Sequence, residues 1–328
     1  MLTPGDERLL RYLADGRFHS GEKIAADLQL SRAAIWKQIQ RLRKKGLEID
    51  AVKGRGYRLG QPLEWLDRAV IEEAIDRPHG EIVPALELHT CLESTNTHLM
   101  RNAYSLQSAH TCLAETQTAG KGRLGRSWIS PFGCNVYLSL LWRFSAGSAA
   151  VGLSLAVGVA VLRALEEVGL PALQLKWPND ILWRGRKLGG ILIEGISEYQ
   201  GGHIVVIGLG VNLWLPRKAA ASIDQPWVDA RTILGVSPGR NLTIGRIMSH
   251  LLALLQDYES NGLGPWLDQW RHLNCVLGQR VQVIHQGRSF EATAVDVNDE
   301  GMLIVREQGG KQRVLVAGEV KLRVESQR

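Results

Sequence analysis

Cysteine is scarce in this 328-residue chain: Cys91, Cys112, Cys134 and Cys275 are the only four, and none stands at metal-ligand spacing from another. That excludes a zinc ribbon or a dense disulfide framework and suits reduced, buried thiols in a cytoplasmic protein. Long apolar runs are missing too. The longest, 149–162, has 14 residues and is broken by Gly152, Ser154 and Gly158, too short to span a bilayer, so no membrane partner is expected. The first ten residues carry Asp6 and Glu7 with no apolar stretch behind a basic start, so no secretory signal is expected. Neither G-x-x-x-x-G-K-[ST] nor G-x-G-x-x-G marks the one glycine-rich basic loop, which removes the P-loop and dinucleotide-fold readings of it.

What is present is an uneven charge. Of 39 Lys and Arg, 13 lie in residues 1–59 against 7 of the 33 Asp and Glu, leaving 26 of each sign in the rest. The whole net charge of +6 therefore belongs to the first fifth of the chain. A small basic module on a neutral body is the pattern of a polyanion-binding appendage.

That module reads as three short helices. Thr3, Pro4 and Asp6 start the first, Ser20 the second and Ser31 the third, with buried stripes Leu9, Leu10, Leu13; Ile24, Ala25, Leu28; and Ile35, Ile39, Leu42. The open face of the third carries Arg32, Ala33, Trp36, Lys37, Gln40, Arg41 and Lys44. Residues 47–59 then alternate like a basic hairpin turning at Lys53, Gly54, Arg55 and Gly56. This describes a winged helix-turn-helix over 1–62, with Arg32, Ala33, Trp36 and Lys37 toward a major groove and Lys53 and Arg55 on flanking phosphates. A helical protein-interaction domain with a solvated charged face is the other reading. Gly60, Gln61 and Pro62 form a linker.

In the next segment, 64–75 reads as helix and 86–89 as strand. Ser94, Thr95 and Asn96 precede a helical stretch, where they serve as a cap or bind a polar ligand head. From Gln117 to Trp128 runs the glycine-basic loop, with Lys121 and Arg123 flanking Gly122 and Arg126 close behind. In an extended conformation Lys121 and Arg123 point the same way, and three cations on one loop suit a reaction that brings two anions together, as in nucleotidyl transfer. The alternative is a basic surface loop. Lys176, Trp177, Pro178, Asn179 and Asp180 make a strand and tight turn, and Lys187 enters an apolar strand beside Gly189 and Gly190, where it needs an anionic partner. Asp180 can accept from a lysine amine or hold magnesium. Residues 148–169 and 244–258 read as helices, and 278–324 as short strands of a small β-barrel turning at 286–287, 298–301, 309–310 and 317–318, with no chemistry of its own.

Taken in order, the winged helix, Ser94-Thr95-Asn96, the glycine-basic loop, Lys176 to Asp180, Lys187 with Gly189-Gly190, Gly208 to Asn212 and the β-rich tail resemble the bifunctional biotin protein ligases. In that family a biotin-activating enzyme carries a DNA-binding domain and represses biotin synthesis genes. The similarity covers nearly the whole chain. The family loop Gly-Arg-Gly-Arg-x-Gly-Arg is matched with Lys121 for its first arginine, which keeps charge but not planar bidentate bonding. The resemblance implies an α+β multidomain fold: a winged helix (1–62), a central mixed α/β sheet domain of the biotin/lipoate ligase type (63–274), and a C-terminal SH3-like β-barrel (275–328).

It further implies that Ser94, Thr95, Asn96, Gln117, Lys121, Gly122, Arg123 and Lys187 bind biotin, and that Arg126, Trp128, Asn179, Asp180, Asn212, Trp227 and Arg323 bind ATP or the adenylate. Lys187, Arg123 and Asp180 would be catalytic, with no resident metal site. Biotin, ATP and Mg2+ are the implied small molecules. The implied partners are the biotin carboxyl carrier protein of acetyl-CoA carboxylase, operator DNA and, on ligand binding, a second copy of the chain. A non-catalytic repressor sensing a small acid and a lipoate-type acyl ligase remain the alternatives.

Overall fold

A computed structural model describes residues 2–76, 82–145, 150–197, 202–285, 288–317 and 320–324. Local signals decide its first sixty residues. Thr3 Oγ1 accepts from the Asp6 amide at 3.2 Å and the Asp6 carboxylate accepts from the Thr3 amide at 3.1 Å, a capping box that opens α1, Pro4–Tyr12. Ser20 and Ser31 cap α2 (Gly21–Leu28) and α3 (Arg32–Lys44) by accepting from the Lys23 and Ala34 amides at 3.1 Å each. Their apolar stripes are the expected ones, and they close a core with the hairpin of β1 (Ile49–Val52) and β2 (Gly56–Leu59). The linker packs onto this unit rather than floating free, since the Leu63 amide donates to Ala14 O at 2.8 Å.

Arg41, read as part of the open face, instead reaches back to Asp6 at 2.6 Å, joined by Lys45 at 3.3 Å. Burial pushes the Asp6 carboxyl up, but Arg41, the Thr3 amide and Lys45 outweigh it and hold the group at about 2, below its ordinary 3.8. A depressed carboxyl stabilises the fold above its unfolded value and loses that contribution as pH falls through the folded one. Asp6→Asn is therefore expected to cost about 2 kcal/mol at pH 7. The gap from wild type should close between pH 4 and pH 2, read by denaturant unfolding at each pH.

The stretch expected to be helical over 64–75 shortens to α4, Arg68–Glu73, with Asp67 as its cap. Glu64 is drawn elsewhere: its carboxylate accepts from the Arg240 and Asn241 amides at 2.6 and 3.0 Å, capping a distant helix. Then come β3 (Ala85–His89), α5 (Thr95–Asn102), β4 (His110–Ala114), β5 (Val136–Phe144), α6 (Leu153–Glu167), β6 (Leu173–Lys176), β7 (Asp180–Trp183), β8 (Arg186–Ser197) and β9 (His203–Val211). Short α7 (Arg217–Ala220) and α8 (Ala230–Leu234) lead to α9 (Arg240–Asn261) and α10 (Gly264–Leu273).

The seven strands form one mixed sheet in the order β3-β4-β5-β9-β8-β7-β6, parallel only between β3 and β4. Helices α6 and α9 cover one face and bury Leu155, Val159, Leu162, Ile247 and Leu251 completely or nearly so. Each such side chain contributes about 1.5–3 kcal/mol by leaving water, which is why this pair anchors the domain. Helix α6 begins at Leu153, later than the expected start of the 148–169 helix, whose first two residues, Ser148 and Ala149, lie outside the described residues.

A five-stranded antiparallel sheet ends the chain: β10 (Arg280–His285), β11 (Arg288–Val297), β12 (Leu303–Glu307), β13 (Gln312–Leu315) and β14 (Val320–Val324), in the order β13-β12-β11-β10-β14. The expected turns at 286–287 and, in part, at 317–318 fall outside the described residues. Val276, Val281, Val283 and Leu303 share one continuous core with the central sheet. No helix among the described residues is long and apolar enough to cross a membrane.

Candidate active site

The glycine-basic loop folds back on itself instead of lying extended. Lys121 pairs with Ser127, the Gly122 amide donates to Arg126 O at 2.7 Å, and the Trp128 amide donates to Gly120 O at 2.8 Å. A 3-10 turn at Arg123–Gly125, with Leu124 at φ 56°, forms the tip. The turn separates the cations expected to be parallel: Lys121 and Arg126 stay exposed, whereas Arg123 dips inward and donates to Asn179 Oδ1 at 3.0 Å. Burial pulls the Arg123 guanidinium below its ordinary value, opposed by Asp180 and reinforced by Arg126.

Beneath the loop lies a cavity of about 800 Å³. The first turn of α5 supplies Ser94, Thr95 and Asn96; the loop supplies Gln117, Lys121, Gly122, Arg123, Arg126 and Trp128; the β6–β7 turn and β8 supply Asn179, Asp180 and Lys187. Ser94 does cap its helix, accepting from the Thr97 amide at 3.4 Å. Gln117 Oε1 accepts from the Thr95 amide at 2.9 Å, and Asn96 Nδ2 donates to Glu194 Oε2 at 2.9 Å. Ser139 Oγ stands 2.7 Å from Thr95 Oγ1 and 2.6 Å from Asn96 Oδ1. These bonds aim a patch of amide and hydroxyl groups at one end of the cavity. Two glycines of β9 make room for its walls: a Cβ on Gly208 would lie 2.1 Å from Asn96 Oδ1, and one on Gly210 2.3 Å from the Trp128 ring.

Lys187 has found the anionic partner that its position demands. Its Nζ is 2.6 Å from Asp180 Oδ1 and 5.6 Å from the Trp128 ring centroid. A register shift makes this meeting possible, because β7 pairs Ile181 with Gly189 but Leu182 with Lys187. The extra residue, Leu188, turns fully into the core, and Lys187 comes onto the face that carries Asp180 and Gly190. Counting the lining, Lys121, Arg123, Arg126, Lys176 and Lys187 face Asp180 and Asp224, so the walls carry an excess of positive charge. Burial lowers the Lys176 ammonium, with Asp180 opposing. Arg123 Nη2 and Trp128 Nε1 are buried donors with no acceptor among the described residues. Buried donors seldom stay unpaired, and an anionic ligand would complete both.

Two expected nucleotide contacts, Asn212 and Trp227, are not among the described residues that line this cavity. Asn212 is buried and donates to Val228 O at 3.2 Å. Segment 226–228 pairs with the backbone of Lys187, so alternation sends Pro226 into the cavity and Trp227 to a second depression beside Glu48, Gln61 and Trp214. Arg323 stands opposite Gln282 in β14, and its side chain lies outside the described residues.

Several contributors carried no motif. Ser139 and Glu194 support the α5 end, and Gly301 O accepts from Trp177 Nε1 at 3.0 Å, so the C-terminal sheet, expected to be inert, braces the Asn179–Asp180 turn. Glu115 and Arg240 form a buried ion pair behind the wall. Nothing local distinguishes these residues, since their partners are 43 to 125 positions away.

On the helical module, Ala33, Trp36, Lys37, Lys53 and Arg55 are exposed together with Arg32, which pairs with Glu22 at 2.9 Å. The Arg55 guanidinium lies 4.1 Å over the Phe18 ring.

A mixed sheet carrying a cationic cavity under a folded glycine-basic loop, joined to a winged helix, defines an anion-activating ligase with an attached DNA-reading module. Family models agree segment by segment: residues 7–58 match an HTH domain, 88–212 the biotin/lipoate A/B protein ligase family and 276–323 the biotin protein ligase C-terminal domain. The chain is 36% identical over 316 residues to the bifunctional ligase/repressor BirA of Salmonella typhimurium and 35% identical over 317 residues to that of Escherichia coli, in each case spanning 96% of both chains. It belongs to the family of bifunctional biotin ligase/repressors. The fold is shared with the biotin protein ligase from Aquifex aeolicus in complex with biotin and ATP, at TM-score 0.62 and 23% identity over 74% of this chain and all of that one.

Proposed function

We propose that this chain joins biotin to AMP in the cavity, passes biotin to a lysine of a biotin carboxyl carrier protein, and represses biotin synthesis genes when loaded. The unpaired donors of Arg123 and Trp128, set among five cationic side chains, carry the reading, because they fit a phosphoryl group joined to a carboxyl group. Ser94, Thr95, Asn96 and Gln117 suit the ureido head of biotin; Arg126, Trp128, Asn179 and Asp180 suit the nucleotide; Lys187 stands between them.

In the first step a biotin carboxylate oxygen attacks the α-phosphorus of ATP, and the bond to pyrophosphate breaks. The negative charge that gathers on the phosphoryl oxygens is what Lys187 and Arg123 offset. The resulting acyl adenylate is a better electrophile than a carboxylate. In the second step the acceptor lysine Nζ attacks its carbonyl carbon, AMP leaves with the bonding pair, and the amine gives up a proton. A free lysine has a pKa near ~10.4, so deprotonation must assist. Asp180 is the nearest carboxylate to Lys187 and the candidate acceptor of that proton. Mg2+ accompanying ATP fits Asp180 as one carboxylate ligand beside substrate phosphates, where it would neutralise phosphate charge. Asn212 and Trp227 remain proposed adenylate contacts that ligand binding recruits from outside the described cavity lining, and Arg323 is a third proposed contact.

The direct test is incubation with biotin, ATP, magnesium and a biotin carrier domain, with label expected on that domain. Biotin-dependent exchange of labelled pyrophosphate into ATP separates an enzyme from a sensor. Lipoate in place of biotin should support no exchange; if it does so equally, the substrate assignment fails.

For the DNA half, Arg32→Ala is expected to change sequence preference, and Arg55→Ala to weaken binding evenly across sequences. Operator affinity should fall steeply with salt. An affinity indifferent to salt or to removal of residues 1–62 contradicts this role. Biotin plus ATP is also expected to convert monomer to homodimer through a free sheet edge, as a two-fold operator requires. Equal sedimentation with and without both ligands refutes it.

A further inference from the structure

Outside the cavity, a second cluster of chemistry-bearing side chains sits at the β3 edge of the sheet. The parallel register sets Glu87 opposite Cys112 and Ala85 opposite His110. Strand alternation then places Glu87, His89, His110 and Cys112 on one face. Helix α5 and the residue after it pack over that face through Leu99 and Ala103, and α5 adds His98.

All three imidazoles turn Nε2 toward the same carboxylate. His89 is 2.7 Å from Glu87 Oε1, His98 is 3.0 and 3.1 Å from its two oxygens, and His110 is 3.2 Å from Oε2. The ligand atoms of Glu87, His89, His98 and Cys112 all lie within 4.8 Å of one another. Zinc with bonds of about 2.0–2.3 Å holds tetrahedral ligand atoms roughly 3.3–3.8 Å apart, so small side-chain rotations close the set.

We infer that Glu87, His89, His98 and Cys112 form a binding site for a divalent ion of the zinc class, with His110 orienting the Glu87 carboxylate. Two nitrogens, one oxygen and one sulfur are four protein ligands, enough to close a tetrahedral site with no open position, and the hard ions Mg2+ and Ca2+ would not choose them. Cys112 is fully buried and Glu87 and the histidines are partly covered, so the site is enclosed yet reachable. The ion would fasten α5 to the edge strand. Helix α5 begins with Ser94, Thr95 and Asn96, so a bound ion fixes one wall of the cavity from behind. No step of the ligase reaction uses these groups, and metal binding is read without any activity assay.

Chelator-treated full-length protein, dialysed against micromolar Zn2+, should retain one equivalent per chain. Loaded with Co2+, it should show intense visible bands of a tetrahedral site and a near-ultraviolet thiolate band. Cys112→Ser should remove the thiolate band. His89→Ala combined with His98→Ala should weaken zinc binding by at least about 100-fold, while His250→Ala, which alters the separate His250–Glu167 pair, should leave it unchanged. Zinc should raise the melting temperature of wild type and not of the double variant. Retention of zinc by a folded double variant overturns the assignment. So does a wild-type Co2+ spectrum without the thiolate band, a result that needs no variant to fold.

Discussion

Lys187→Met is expected to lower biotin-dependent pyrophosphate exchange by about 10²–10³-fold, the usual cost of removing one donor to a developing anion. Methionine keeps the length and apolar stem of lysine, so the loss isolates the charge. Two effects combine. The oxygens of the attacked phosphorus lose a cation, and Asp180, with its side chain 20% exposed and 2.6 Å from Nζ, loses its counterion. Both carboxyl activation and transfer should suffer, since the same ammonium faces carboxyl and phosphoryl oxygens. A decrease under tenfold would place the decisive charge on the loop. Asp180→Asn separates the roles: slowed single-turnover transfer from preformed adenylate supports proton acceptance by Asp180, and unchanged transfer removes it from that role.

Glu115→Gln is expected to destabilise the central domain by about 3–5 kcal/mol, read by denaturant unfolding, because it strands a buried guanidinium. Both side chains of the Glu115–Arg240 pair are 4% exposed. Around it Arg240 also donates to Asn135 O at 3.0 Å and to Glu64 O at 3.2 Å, and Glu115 accepts from the Leu66 amide at 2.8 Å. The pair thus ties the segment leaving the winged helix to β4, β5 and the start of α9. Glu22→Gln is the contrast. Its ion pair with Arg32 has side chains 72–76% exposed, and its loss should cost under about 1 kcal/mol. Equal costs at the two positions would mean that burial is not what sets the scale.

Much of this molecule can be read from one end of the chain to the other without its structure. The caps at Thr3, Ser20 and Ser31, the stripe Ile35, Ile39 and Leu42, and the turn at Pro178 stand in the expected places, because each depends on neighbours within about one turn. The loop and Lys187 stood out as candidate chemistry because they set glycines and cations beside apolar strands, whereas Ser94 reads equally as the helix cap that it forms. The failures share a cause. Residues 64–67 leave the helical pattern since Glu64 caps a helix 176 positions on, and Arg41, though exposed as expected, is tied to the buried Asp6 35 positions before it.

Sequence alone, then, determined the helices and charge segregation of the DNA-reading module through periodicity, capping and composition, and, through the ordered motifs and the family they resemble, the class of fold and the polar and charged residues at the heart of the cavity. Tertiary structure decided the rest: that Arg123 and Lys121 part company, that a one-residue bulge brings Lys187 to Asp180, that Trp227 faces away, and that three histidines converge on Glu87. Side-chain direction depends on strand register and on what packs across the gap, and neither is encoded within a few residues of the side chain concerned.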